Sequence, residues 1–282
     1  MAFADRTQSP SGAGYALENR TVVSRILTEE IREVSVRRLG PFFRALRSYL
    51  GSIAPAEREN PVIVLLTPGP LNATYFEHAY LARHLGVPLV EGADLTVRGL
   101  QVCLKTLEGL QPVDVILRRV DDSYCDPLEL RPESVLGIPG LVQAARSGGV
   151  TIANALGSGL LESPAFLTFL PTLCRHLLDE DLLLPSVPTW WCGEAESLRF
   201  VIDQLDHLVV KPAFGRRRGR IWFGYQLSAA DKARLRGLIS ARPQDFIAQE
   251  CTLPSSGPVW TAAGFERRSI LLRTYEIGRA HV

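Results

Sequence analysis

Lys211 stands at the end of a short apolar run, Leu208-Val209-Val210, with Pro212 directly behind it. Such a run is too apolar and β-branched for a surface loop. It reads as a buried strand that delivers an ammonium at its end, where Pro212 stops the ladder. A strand-end cation in a partly dry cleft attracts phosphate several times more strongly than it would in bulk water. A second apolar run, Phe246-Ile247-Ala248, ends in Gln249 and Glu250. The Gln249 amide offers a donor and an acceptor to an adenine edge, and the Glu250 carboxylate an acceptor to a ribose hydroxyl. The alternative is a lysine held in a structural ion pair, because such pairs also place charges beside strands.

Arg118, Arg119, Asp121 and Asp122 form a second constellation at the end of another apolar run. Adjacent charges of both signs suit a zwitterionic or carboxylate substrate, and the alternative is a cluster that pairs internally. Tyr75, Glu77 and His78 follow a Pro-Gly turn on an expected helix, where a lone histidine is more often packed or solvated than catalytic. Asn154-Ala155-Leu156-Gly157-Ser158-Gly159 is a Gly-rich turn after a strand, a common feature and a weak sign of close backbone approach to a ligand.

The elements that must position these groups read as follows. Residues 10–14 are a loop, and a helix is expected from about Asn19 to Ile31. Residues 41–50 form a helix with Phe42, Phe43, Leu46, Tyr49 and Leu50 on one face and Pro41 in its first turn. Val62 to Leu66 is a fully buried strand, followed by Thr67-Pro68-Gly69-Pro70 and a helix capped by Asn72 and closed at Gly86. Strands near 89–90, 102–105, 113–117 and 150–153 alternate with turns or helices, which predicts a largely parallel α/β layer. Residues 185–191 are a Pro-rich connection into a helix over about 194–205. Ser228-Ala229-Ala230-Asp231 has capping-box spacing and opens a helix with Leu235, Leu238 and Ile239 inward, closed at Arg242-Pro243.

Composition excludes several classes. With 282 residues, 46% hydrophobic and 22% charged, the chain is an ordinary globular protein of about two domains. A formal net charge of +1 gives no general reason to bind nucleic acid or an anionic membrane, and the arginine run at 216–220 is local. Five dispersed cysteines without a C-x-x-C pair argue against a zinc site or disulfide framework and fit a reducing cytoplasm. No apolar stretch approaches the roughly 20 residues that span a bilayer, and no signal region opens the chain. No G-x-G-x-x-G follows a strand, so a nicotinamide oxidoreductase loses its main support.

Several separated motifs, in one order, resemble the circularly permuted ATP-grasp proteins of type 2, with an arrangement similar to glutathionylspermidine synthase. They are Pro10-Ser11-Gly12-Ala13-Gly14-Tyr15-Ala16-Leu17-Glu18-Asn19-Arg20, Leu66-Thr67-Pro68-Gly69-Pro70, Tyr75-Phe76-Glu77-His78, Arg118-Arg119-Val120-Asp121-Asp122 and Val210-Lys211-Pro212. The resemblance implies an α/β fold, α+β in the nucleotide-binding part: a circularly permuted ATP-grasp preceded by a parallel α/β layer. It also implies an ATP-dependent carboxylate-amine ligase that phosphorylates a carboxylate with Mg-ATP and lets an amine attack the acyl phosphate. The alternative is a non-catalytic nucleotide-binding or scaffold module.

The resemblance assigns ATP to Lys211, Gln249 and Glu250, a catalytic role to Arg273 as a strand-end arginine, and substrate contacts to Arg118, Arg119, Asp121 and Asp122. Small-molecule carboxylate and amine substrates are the implied partners. Where relatives carry a metal-binding acid and an asparagine before the Pro-Ser-Gly loop, this chain has Ala4, Asp5 and Arg6, which leaves Asp5 as the oxygen ligand for magnesium. Pro164 stands where many relatives have a lysine, and the flexible glycine loop after the Lys-Pro strand becomes Gly215-Arg216-Arg217-Arg218-Gly219-Arg220.

The expected domains are 1–57, helices of an ATP-grasp remnant; 58–155, an α/β substrate domain; and 156–275, an incomplete nucleotide-binding subdomain. Residues 276–282 resemble a translated sequencing adapter and are expected to be an artefact, so the chain is expected to be a fragment.

Overall fold

The computed structural model describes residues 1–55, 59–214 and 220–278. The arginine run at 216–218 and His281 in the adapter-like tail lie outside the described residues. The chain forms two compact units: Thr7–Gly159 with the segment that begins at Tyr275, and Met1–Arg6 with Leu160–Thr274.

The first unit runs α1 (Ala13–Ile26), α2 (Thr28–Glu33), α3 (Gly40–Ser52), β1 (Ile63–Leu66), α4 (Tyr75–Leu85), β2 (Leu89–Val90), β3 (Leu95–Arg98), β4 (Gln101–Thr106), β5 (Gly109–Pro112), β6 (Val115–Arg118), α5 (Leu141–Arg146) and β7 (Thr151–Ala153). Its central sheet is wholly parallel in the order β2-β1-β6-β7. Every residue of β1 is buried because both faces are covered: Ile63 and Leu65 pack in a cluster with Leu17, Phe43, Leu50 and Leu81, while Val64 and Leu66 pack with Val102, Leu141 and Ile152.

The expected strand at 102–105 does not join this layer. As β4 it is the middle of an antiparallel β3-β4-β5 meander. Gly99 (φ 54°) and Leu100 (φ 67°) are both left-handed, the two-residue turn that folds a hairpin back on itself. A leucine in that turn hid the signal.

Two helix boundaries also differ from expectation. The helix expected from Asn19 begins at Ala13, so part of the 10–14 loop is helical, and it breaks at Leu27 into α1 and α2. Asn72 does not cap α4: the N-cap is Thr74, whose N–H and hydroxyl both donate to Asn72 Oδ1 at 2.9 and 2.6 Å. Gly86 does close the helix, with φ 66°.

The second unit runs α6 (Phe166–Leu178), β8 (Thr189–Trp191), α7 (Ala195–Asp203), β9 (Leu208–Pro212), β10 (Trp222–Phe223), α8 (Ala229–Ala241), β11 (Phe246–Glu250), β12 (Ser256–Thr261) and β13 (Gly264–Ser269). Here the four-stranded sheet is antiparallel, β10-β9-β11-β8, and β12 pairs with β13 in a separate ribbon. The Pro-rich connection thus ends in an edge strand, β8. One sheet face, carrying Leu208, Val210 and Ala248, packs with Val201 of α7 and Leu235 and Ile239 of α8. Ser228 caps α8 as its spacing predicts, accepting from Asp231 N–H at 3.1 Å and donating to Asp231 Oδ2 at 2.7 Å. Leu238, expected inward, is 53% exposed, because the buried stripe is the i, i+4 pair Leu235 and Ile239. The first unit is α/β and the second α+β.

Candidate functional site

In the second unit, β9 and β11 run antiparallel with Lys211 opposite Ile247 and Gln249 opposite Val209. Directly opposed residues share a face, and so do residues two apart on one strand, so Lys211 and Gln249 are diagonal neighbours on one side. The Lys211 ammonium donates to the Gln249 amide oxygen. Gln249 lies opposite Thr189 of β8, and its Nε2 donates to Thr189 Oγ1 at 3.0 Å. The result is a polar row, Lys211–Gln249–Thr189, across three strands. Ile247, Ala213, Ala165 and Trp191 cluster on its apolar margin.

Lys211 is half-buried, and among the described residues no carboxylate pairs with it. Burial lowers its pKa below the ordinary lysine value. A desolvated ammonium without a counter-ion fits an anionic ligand. Glu250 ends β11 one residue later, is exposed, and lies opposite Leu208 on the other face. It does not join the row. Arg273 is exposed and lies beyond the end of β13, outside any strand.

Asp5 is exposed, and among the described residues no group of three or more His, Cys, Asp or Glu side chains could hold a metal ion.

The first unit holds the other constellation. Arg118, only 1% exposed, ends β6 with its guanidinium committed to protein acceptors. Nε donates to Asn154 O (3.0 Å), Nη1 to Val120 O (2.7 Å), and Nη2 to Ala155 O (3.3 Å) and Ser158 Oγ (3.2 Å). Asp122 Oδ1 forms an ion pair with Nη2 at 2.7 Å, off the axis of a hydrogen bond. Asp122 Oδ2 accepts from Gly159 N–H, and Asp122 N–H donates to Gln8 Oε1 at 3.0 Å. Asp121 Oδ1 accepts from Asp122 N–H. Arg118 and Asp122 therefore stitch the segment after β7 and the N-terminal stretch at Gln8 to the end of β6.

Arg119 is placed differently. Its N–H donates to Leu66 O across to β1, and its Nη1 donates to Pro10 O at 2.7 Å, while Nε is buried with no hydrogen-bond partner among the described residues. Glu77, in the first turn of α4 and 2% exposed, accepts at one oxygen, Oε1, from Gly12 N–H (2.5 Å) and Gly14 N–H (3.0 Å). It thereby caps α1 from a distant helix, a carboxylate at a helix N-terminus. Its other oxygen, Oε2, is buried with no partner among the described residues. Burial lowers the Arg119 pKa, and the Glu77 charge partly offsets that.

His78, next on α4 and 3% exposed, is held at both ring nitrogens, Nδ1 to Thr67 Oγ1 (2.9 Å) and Nε2 to Thr74 Oγ1 (3.1 Å). The Thr74 hydroxyl donates to Asn72, so its oxygen accepts from Nε2–H, and Nδ1 accepts from the Thr67 hydroxyl. Burial, with a smaller contribution from Arg119, lowers the His78 pKa to about 4. The imidazole is neutral and structural. The pairing of Thr67 with His78, and of Ser158 and Gln8 with Arg118 and Asp122, emerges only from the coordinates, since no spacing in the sequence encodes it.

A parallel α/β unit, an antiparallel sheet with a half-buried lysine at a strand end, and a separate hairpin ribbon define an ATP-grasp-like fold. The chain belongs to the family described as circularly permuted ATP-grasp type 2, whose model matches residues 1–282. It is 41% identical over 276 residues to an uncharacterized protein of Mycobacterium tuberculosis, covering 98% of this chain and 31% of that protein. An uncharacterized protein of Synechocystis is 36% identical over 275 residues, covering 98% of this chain and 57% of its own length. The chain thus spans about a third to somewhat over half of these relatives. A solved structure of a glutathione synthetase-like effector from Globodera pallida, in apo form, superposes with a TM-score of 0.50 at 11% identity, covering 89% of this chain and 55% of that one. That likeness concerns the fold alone.

Proposed function

We propose that the protein is an ATP-dependent carboxylate-amine ligase in which Lys211 neutralises phosphate and Arg119, at the carboxyl end of β6, takes a small carboxylate substrate. Family membership supports the reaction class. The observation that carries the reading is Lys211, a half-buried ammonium at a strand end with no carboxylate beside it among the described residues. Gln249 orients that ammonium and, on releasing it, frees an amide for the base. The ribose role of Glu250 does not follow from its place on the opposite face, and no role for Arg273 follows from its place beyond β13. A carboxylate phosphorylated by ATP and then attacked by an amine is the chemistry the reading implies. A reducing cytoplasm is the proposed compartment, in keeping with five free cysteines. Among the described residues no helix is long and apolar enough to cross a membrane.

A non-catalytic nucleotide-binding module is the second reading, favoured by Ala4-Asp5-Arg6, which offers one exposed carboxylate ahead of the Pro-Ser-Gly loop. Calorimetry with ATP, followed by an assay for ADP release with added acids and amines, separates the two. The ligase reading expects saturable ATP binding and, in the longer protein, ADP release that depends on both co-substrates. Binding without such release supports the module, and absence of ATP binding overturns both.

A further inference from the structure

Four parallel strands in the order β2-β1-β6-β7 place a topological switch point between β1 and β6, because the chain leaves β1 toward β2 on one side while β6 lies on the other. In open α/β sheets, ligands bind outside the carboxyl ends of the strands at such a point. Here those ends are Leu66–Thr67 and Arg118–Arg119, with Leu66 opposite Arg118. The Pro10, Gly12 and Gly14 backbone and the first turn of α4 border the same place through their bonds to Arg119 and Glu77.

Two atoms of opposite character are left over there. Glu77 Oε2 and Arg119 Nε are both buried without a hydrogen-bond partner among the described residues. The two side chains attract each other across the gap, yet neither atom bonds the other. Leaving one buried polar group unpaired forfeits its hydration without replacement, and the loss is larger when the group is charged. An anion would satisfy Arg119 and confront Glu77. A cation would do the reverse. Arg118 is no competitor for a ligand, since every nitrogen of its guanidinium is already bonded within the protein.

We propose that the carboxyl end of β1 and β6 binds a small zwitterion of the α-amino acid class, with its carboxylate on Arg119 Nε and its ammonium on Glu77 Oε2. The proposal rests on the reading of Arg119 as the carboxylate-substrate contact and narrows that substrate to one bearing an ammonium on the adjacent carbon. Neither atom is open to solvent, so binding displaces the short chain segment at residues 10–12, whose backbone groups bond Arg119, Glu77 and Tyr275.

Ligand-observed magnetic resonance on the 282-residue chain without ATP tests it, using L-alanine and its two halves, propionate and ethylammonium, at one ionic strength. L-alanine is expected to bind saturably, with each half at least about tenfold weaker, the size of one lost charge-assisted contact. Glu77→Gln, after a thermal melt shows it folded, is expected to bring the affinity for L-alanine down to that for propionate. Arg119→Gln is expected to weaken both. Should neither variant fold, the wild-type panel still decides. Equal affinity for L-alanine and propionate, or no saturable binding by any probe, overturns the proposal and leaves the two atoms to bridging water. The titrations exclude ATP, so absence of ADP release in the ligase assay leaves this result standing, and the reverse also holds.

Discussion

Gly14 N–H donates to Glu77 Oε1 at 3.0 Å, and a Cβ built on Gly14 would lie 2.8 Å from Glu77 Cγ. The absence of a side chain at residue 14 is what lets a carboxylate from α4 reach the start of α1. Gly14→Ala is expected to destabilise the protein by about 1–3 kcal/mol, the usual cost of overpacking a filled site. Glu77→Ala is expected to cost a similar amount by leaving two N–H groups without an acceptor. Urea melts check both, and a Gly14→Ala protein as stable as wild type would show that the contact relaxes freely.

Lys211→Ala is expected to weaken ATP binding about ten- to a hundredfold, because a charge-assisted phosphate contact contributes on the order of 1.5–3 kcal/mol. Lys211→Arg is expected to keep part of the affinity, with the charge retained but its planar fork placed differently. Calorimetry on folded variants decides. Wild-type affinity in Lys211→Ala would return the residue to a structural role.

The pH dependence follows from His78, whose pKa falls from 6.5 to about 4 in the folded protein. Between those values the unfolded chain binds a proton that the native state does not. Stability is thus fully present above about pH 6.5, declines as the pH falls toward 4, and changes no further from this group below that. The loss is expected to be on the order of 2 kcal/mol after allowance for solvent screening. Melts of wild type and His78→Gln at pH 7 and pH 4.5 isolate it: the difference between the two pH values should be smaller in the variant, and an equal difference would remove His78 from the account.

Leu100 holds φ 67° in the β3–β4 turn and is 46% exposed. A left-handed non-glycine residue costs roughly 1–2 kcal/mol, and asparagine tolerates that region better. Leu100→Asn is expected to stabilise the first unit by about 0.5–1 kcal/mol. A lower melting temperature would show that leucine packing outweighs backbone strain there.

Much of this architecture is local and was legible without coordinates. Continuous apolar runs at 63–66, 208–210 and 246–248 are strands because residues buried on both faces cannot alternate in polarity. Ser228 and Asp231 sit one helical turn apart, so their reciprocal bonds need only the chain between them. Lys211 stood out for the same reason, as a charge at the end of an apolar run.

Tertiary structure alone decided the partners. Whether Lys211 meets Gln249, 38 residues away, depends on strand register, which no spacing encodes. The same register turns Glu250 to the opposite face. Arg118 and Arg119 are adjacent and alike in sequence, yet consecutive residues at a strand end point to opposite sides, so one is consumed by carbonyls and the other keeps an unbonded nitrogen. Glu77 caps a helix 63 and 65 residues earlier in the chain, and α1 begins where it does because that carboxylate arrives there. Such contacts carry no sequence period, since they arise only when packed elements bring distant polar groups within hydrogen-bond reach.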